Sequence, residues 1–200
     1  MIRRLAYRQF HDQTSVATAV TVVLAEFGLR SFDAAVRGQE LVLHGLVQRG
    51  KYEADSGVSL RYALKHLVDA GLRVELRHDT SRTGALERML AAMDPGFRLR
   101  LPSDLDSRLH RPLDPGADFE DEARILMVEA RSVTRTLTLH VLLARCEAGY
   151  WYVMNPENGA DHRYERRQFT DHLVSPVTSG MQSMAGGQYL YTGVAARIWK

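Results

Sequence analysis

Cysteine is nearly missing from this chain. Cys146 is the single one in 200 residues, so no internal disulfide and no cysteine-built metal site can form, and a reducing cytoplasm is the expected setting. Lysine is almost as scarce, occurring only as Lys51, Lys65 and Lys200 among 26 basic residues. The remaining basic side chains are arginines spread along the chain, and they balance the acids to a net charge of +2. So small a charge, with no basic tract, argues against nucleic acid and against an anionic membrane surface as partners. No apolar run approaches the ~20 residues that span a bilayer. The first residues, Met1 to Tyr7, are charged and hold no signal-peptide core. Repeats and low-complexity segments are absent as well.

What is present suits one globular domain. Apolar residues make up 45% of the chain and charged residues 25%, which leaves ample material for a core in a domain of this length. After Ser15, the residues Val16, Ala19, Val20, Val23, Leu24 and Phe27 recur at helical spacing, and Gly28 supplies a stop. This helix is apolar nearly all round, so it is expected at the centre of the domain, with Asp12 or Thr14 as its cap. Shorter helices are expected over 31–36 and 39–46, then a turn at Ser56-Gly57-Val58. An amphipathic helix carrying Leu60, Leu64, Leu67 and Val68 should end at Gly71. A half-buried strand over 72–76 and a helix over 84–93 follow, the latter closed by Asp94-Pro95-Gly96.

Three of the six prolines, Pro102, Pro112 and Pro115, fall within residues 97–121. That stretch has little periodicity and is expected to be a long loop or flap bordering the site. Beyond it the chain turns β-rich. Strands are expected over 123–128, 138–145 and 150–154, with Gly149 between the last two. Asn155-Pro156-Glu157-Asn158-Gly159 is a strong turn. Tyr164 leads into a helix near 167–173, and 189–194 can close the sheet. Helices first and an antiparallel meander after them predict an α+β fold.

Two segments carry the chemistry. One runs Gln9-Phe10-His11-Asp12-Gln13-Thr14-Ser15-Val16-Ala17-Thr18-Ala19 and on to Phe27-Gly28. The other holds His140-Val141-Leu142-Leu143, then Tyr150-Trp151-Tyr152-Val153-Met154-Asn155-Pro156 and Gly159. Together they resemble the peptidases that process bacteriocin leader peptides and their wider papain-like relatives. In that family a Gln stands six residues before a nucleophilic Cys. The Cys opens a buried helix that ends in an aromatic residue and Gly. A strand His and an Asp or Asn before Pro complete the pattern. Here Ser15 stands where the cysteine would, and Val16-Ala17 replaces the usual Gly-Pro. The resemblance covers both ends of the chain and only loosely the middle, residues 51–121.

The resemblance implies a papain-like fold in which a buried central helix packs on a C-terminal antiparallel sheet. It also implies acyl transfer at an amide, peptide or thioester bond, with a peptide or acyl-carrier-bound substrate. Ser15 would hold the nucleophile position, His140 would be the general base, Asn155 its orienter, and Gln9 an oxyanion donor. Ser15 is open to three readings. It is a replacement for a cysteine, which its thiol-site surroundings favour; or a serine nucleophile; or the mark of an inactive binding module that keeps the groove. Each residue also has a plainer role available: a helix cap for Ser15, a backbone-satisfied strand residue for His140, a turn residue for Asn155, a loop residue for Gln9. Cys146 reads as a small buried residue. The other histidines, His11, His44, His66, His78, His110, His162 and His172, are scattered with no His-x3-His pair, so no metal is expected. No cofactor motif is present, and nothing speaks to oligomeric state. With no membrane or ATP-binding segment in these 200 residues, a stand-alone enzyme of a biosynthetic pathway or a small effector protease is the expected form.

Overall fold

In the computed structural model, the residues described are 4–9, 14–30, 60–93, 111–118, 122–133, 136–177 and 181–200. The helices expected over 31–36 and 39–46, the turn at 56–58, the Asp12 cap and the closing turn at 94–96 lie outside them.

The central helix α1 spans Ser15–Glu26, and every residue in it except Ala25 is buried. Its four valines are poor helix formers in isolation, since branching at Cβ freezes χ1. Burial overrides that preference. Val16, Val20 and Val23 share one cluster with Leu126, Val128, Val141, Leu143, Met154 and Ile198 of the sheet. The helix stops where Gly28 takes a φ of +72°. There Gly28 N donates to Ala25 O at 3.0 Å and Leu29 N to Leu24 O at 2.8 Å, the two-bond helix stop that a left-handed residue permits. Helix α2 (Leu60–Asp69) packs on α1 through Leu60, Ala63, Leu64 and Leu67 and ends at Gly71, as its periodicity predicts.

Among the described residues, seven strands form one antiparallel sheet. They are β1 (Arg73–His78), β2 (Arg124–Val133), β3 (Thr136–Glu147), β4 (Tyr150–Asn155), β5 (Ala160–Tyr164), β6 (Gln182–Met184) and β7 (Gly187–Trp199), in the order β1-β7-β2-β3-β4-β5 with β6 beside β7. Side chains alternate between its faces. Leu126, Val128, Val141 and Leu143 meet α1. Ile125, Met127, Leu142, Ala144, Trp151 and Val153 form a second core with Phe169 and Leu173 of α4 (Arg166–Val174), where the Trp151 and Phe169 rings stack at 4.7 Å. With both faces covered, the strands read as near-continuous apolar runs instead of alternating ones. Helix α3 (Thr80–Met93) starts four residues earlier than its apolar pattern suggests, because Asp79 supplies a start signal: Arg82 N donates to its carboxylate at 2.9 Å. Strand β7 likewise runs well beyond the expected 189–194 at its C-terminal end. The expected loop over 97–121 is described only at 111–118, and there it is pinned. Arg77 grips the Asp118 carboxylate with two nitrogens, at 3.0 and 2.6 Å, and Asp118 N closes a turn on Asp114 O.

Two hairpins have the same two-residue turn. Glu147 pairs with Tyr150 around Ala148-Gly149, and Met184 pairs with Gly187 around Ala185-Gly186. All four turn residues have positive φ, with Ala148 at 51° and Ala185 at 49°, as the right-handed twist of a tight hairpin demands. An alanine pays a steric penalty there that asparagine largely avoids. Ala148 is exposed, so Ala148→Asn is expected to stabilise the protein by about 0.5–1 kcal/mol, or about 1–4 °C in melting temperature. A melting temperature that does not rise would count against the turn geometry.

A group of buried charges ties the leading segment to this frame. The Glu26 carboxylate, with its side chain fully buried, is paired with Arg124 of β2 and with Arg145 of β3, the latter at 2.6 Å. It also accepts Leu5 N at 2.8 Å, while Arg145 donates to Leu5 O at 2.9 Å. Arg145 further pairs with Asp161 of β5, which Arg4 meets at 3.1 Å. Residues 4–9 are thereby laid along the sheet toward the 155–159 turn.

Candidate active site

Ser15 is the first residue of α1, and Thr14 before it makes no side-chain cap. The first turn holds no acidic residue, so nothing there neutralises the positive end of the helix dipole beside the Ser15 hydroxyl. Ser15 is 3% exposed, and its Oγ accepts a hydrogen bond from Val141 N at 3.3 Å. That contact brings the helix start to the strand position next to His140, across 126 residues of sequence.

His140 forms a defined pair with Asn155. Its Nε2 lies 3.0 Å from Asn155 Oδ1. Which amide atom faces the imidazole is fixed by chemistry. Glu157 N, a backbone donor, points at the same atom from 3.0 Å, so that atom is an acceptor. The amide's other end donates to Ala185 O at 3.0 Å and to Tyr189 Oη at 2.8 Å. An imidazole nitrogen facing a carbonyl oxygen must carry the proton, so in the neutral ring Nδ1 is the acceptor. Nδ1 takes no hydrogen bond from the described residues. The Tyr189 ring stacks on the imidazole at 5.6 Å between centroids and 21° between planes.

Burial pushes the His140 pKa below its ordinary 6.5, and the Asn155 hydrogen bond and Glu157 oppose that only in part. The imidazole is therefore neutral at pH 7, the form a general base needs. The unfolded chain takes up a proton near pH 6.5 and the folded chain resists until lower pH, so this group's contribution to stability is present above pH 6.5 and lost on acidification. His66 is depressed similarly by burial, so the parent protein and His140→Gln must be compared. The parent is expected to lose melting temperature more steeply between pH 7 and 5; parallel curves would remove His140 as the source.

No family model matches this chain, and no curated protein matches it. Among solved structures, the chain is similar to a double glycine motif protease from an AMS/PCAT transporter in complex with the leader peptide. That likeness covers 100% of this chain and 94% of the other at 11% identity, with a TM-score of 0.47. It is also similar to the Pseudomonas avirulence protein AvrPphB, over 100% of this chain and 98% of the other, at 10% identity and a TM-score of 0.45.

Gln9 meets the same corner from the other side. Its N–H donates to Pro156 O at 2.6 Å, and its side-chain Oε1 is buried with no partner among the described residues. Gly159 makes that approach possible, since a Cβ there would stand 2.9 Å from the Arg8 backbone nitrogen. Of the four residues singled out from sequence, His140 and Asn155 are bonded to each other. Ser15 is bonded to the backbone beside His140, and Gln9 to the backbone beside Asn155. No hydrogen bond joins Ser15 Oγ to the His140 ring. Val141 belongs to the core under α1, and in an extended strand the His140 side chain points to the other face.

Tyr189 and Glu157 are the participants that sequence reasoning missed. Tyr189 Oη donates to Glu157 Oε2 at 3.2 Å, and Glu157 is ion-paired with Arg131. The only prior signal was a glutamate two residues after Asn155 in a turn. His11 lies outside the described residues. Among the described residues no group of His, Cys, Asp and Glu could hold a metal, and no helix is long and apolar enough to cross a membrane.

Proposed function

We propose that this chain is a papain-like hydrolase or acyltransferase that cleaves an amide, peptide or thioester bond through an acyl-enzyme, with the nucleophile at position 15. The observation that carries the reading is the His140–Asn155 pair, whose tautomer leaves Nδ1 as a free base. In the reaction the position-15 side chain leaves Val141 N and its proton passes to Nδ1, a step that needs the helix start and the His140 ring, set on opposite faces of β3 in this structure, to come together. The nucleophile adds to the substrate carbonyl, and the leaving amine or thiol departs with the proton returned from His140. Water or an amine then takes the acyl group. The backbone N–H at position 15 and the Gln9 carboxamide serve the oxyanion, a role worth about 2.7–4 kcal/mol per donor. The substrate class is a peptide or a carrier-bound acyl chain.

A second reading is a non-catalytic module that keeps the groove for a peptide or acyl chain. It is favoured by one contact: the Ser15 hydroxyl is spent on Val141 N instead of His140. A serine here is also a weak nucleophile, because a helix terminus and a histidine ionise a thiol but not an alcohol.

Intact-mass labelling with iodoacetamide separates the two. Cys146→Ala protein, with and without Ser15→Cys, is compared. Rapid labelling of the introduced thiol at pH 6, slowed by His140→Ala, is the expected result. Labelling no faster than that of an ordinary thiol and indifferent to His140 would favour the module.

A further inference from the structure

We infer that Tyr189 of β7 is a positioning residue for the His140–Asn155 pair, clamping the imidazole with its ring and the carboxamide with its hydroxyl. This rests on the reading of that pair as the site's base and orienter. Tyr189 Oη stands between Asn155 Nδ2, at 2.8 Å, and Glu157 Oε2, at 3.2 Å. The amide nitrogen can only donate, so the phenol proton must go to Glu157. Glu157 accepts it while held by Arg131, and Arg131 also lies over the Tyr189 ring, 5.9 Å from its centroid. The phenol oxygen is therefore a fixed acceptor. An amide whose nitrogen faces two acceptors, Ala185 O and Tyr189 Oη, cannot turn its oxygen away from His140 without setting oxygen against oxygen.

The arrangement also explains why asparagine suits position 155. A carboxylate there would bring negative charge against the Ala185 carbonyl and an oxygen whose proton is already committed. Ala185 is held at a positive φ and is fully buried, and its N–H bonds Tyr164 Oη at 2.6 Å, so its carbonyl cannot move aside. Tyr189 thus links the strand that carries it to the tautomer of a ring on β3, two strands away.

The charges facing His140 from neighbouring elements are Glu157 of the 155–159 turn, Arg131 of β2, and Glu129 of β2. Glu129 lies directly across the strand pair and is held by His172 of α4 at 3.1 Å. None of them bonds the imidazole, so the Asn155 amide alone sets its proton.

The test is nitrogen-15 NMR of the His140 ring in the Ser15 protein, where no activity is needed. In the parent, the Nε2–H tautomer should dominate above pH 7. In Tyr189→Phe the ring stays but the acceptor is lost. A mixture of tautomers and at least about fivefold faster solvent exchange of Nε2–H are expected, the loss equivalent to one hydrogen bond, with the melting temperature little changed. If Tyr189→Phe does not fold, Glu157→Leu reads the same device, since it frees the phenol proton and lets the amide flip. Parent-like tautomer and exchange in a folded Tyr189→Phe, or in Glu157→Leu where that stands in, would overturn the inference. These outcomes are independent of labelling at position 15. A lost tautomer with labelling indifferent to His140 would sink the enzymatic reading and leave Tyr189 as the clamp; the converse would sink the clamp and leave the enzyme.

Discussion

Glu26→Ala is expected to cost about 3–5 kcal/mol of stability, the usual consequence of stripping one partner from a buried ion group, and about 6–20 °C of melting temperature in a chain of this size. The reason is what remains. Arg124 and Arg145 are buried with almost no exposed side-chain surface, and both lose the carboxylate between them. Arg145 keeps Asp161, but the one hydrogen bond left to Arg124 among the described residues is to Ala123 O, at 3.2 Å, beside the Phe27 ring at 5.5 Å. Leu5 N also loses its acceptor, so residues 4–9 should loosen. Glu26→Gln, which retains an acceptor but no charge, should fall between parent and alanine. Denaturant titration with an unchanged slope reads the difference. A loss below about 1 kcal/mol for Glu26→Ala, the scale of an exposed pair, would mean the group is solvated.

In Ser15→Cys, Cys146→Ala protein, His140→Ala is expected to slow iodoacetamide labelling about tenfold at pH 6 and to speed it about fifteenfold at pH 9. An ordinary thiol with a pKa near 8.5 is only about 0.3% thiolate at pH 6, and a site that lowers the pKa to about 5.5 raises that fraction a few hundredfold. The lower-pKa thiolate is intrinsically less nucleophilic, which removes about twentyfold. The remainder is the predicted effect. At pH 9 both thiols are mostly ionised, so only the difference in nucleophilicity is left and the order reverses. Burial disfavours the imidazolium at His140, so the ion pair depends on Asn155 accepting the Nε2 proton. Asn155→Ala should therefore reproduce part of the His140 effect. A ratio near one at pH 6 would remove His140 as the partner of position 15, whatever the fold.

Much of this was legible beforehand, and the exceptions have physical reasons. An apolar run with helical spacing and a glycine stop defines α1 because nothing competes with that pattern. The strand around His140 and the turn at Asn155 were equally plain, the one an apolar run and the other a cluster of turn residues. The Ser15–Val141 contact was not legible, since it joins residues 126 apart through a backbone group that no side-chain pattern reveals. Glu26, Arg124 and Arg145 each stood in an otherwise apolar segment, and that was a signal: three misplaced charges of mixed sign imply one another. Tyr189 could not be assigned, because it looks like any aromatic strand residue until the hydroxyl's neighbours are known. The pinning of residues 111–118 by Arg77 was hidden for the same reason.

Sheet order carries a consequence for how the molecule is made. Strand β7 lies between β1 and β2, pairing Arg73 with Trp199 on one side and Arg124 with Ile198 on the other, yet it follows every other strand in the sequence. During synthesis the β2–β5 meander can form early from near neighbours, but β1 has no partner until β7 emerges and slides between them. Tyr189 arrives on that same strand, so the clamp on Asn155 is absent from every shorter nascent chain. Folding dominated by such distant pairings is slow, and the Asn155 amide has no phenol oxygen to hold it until β7 is in place.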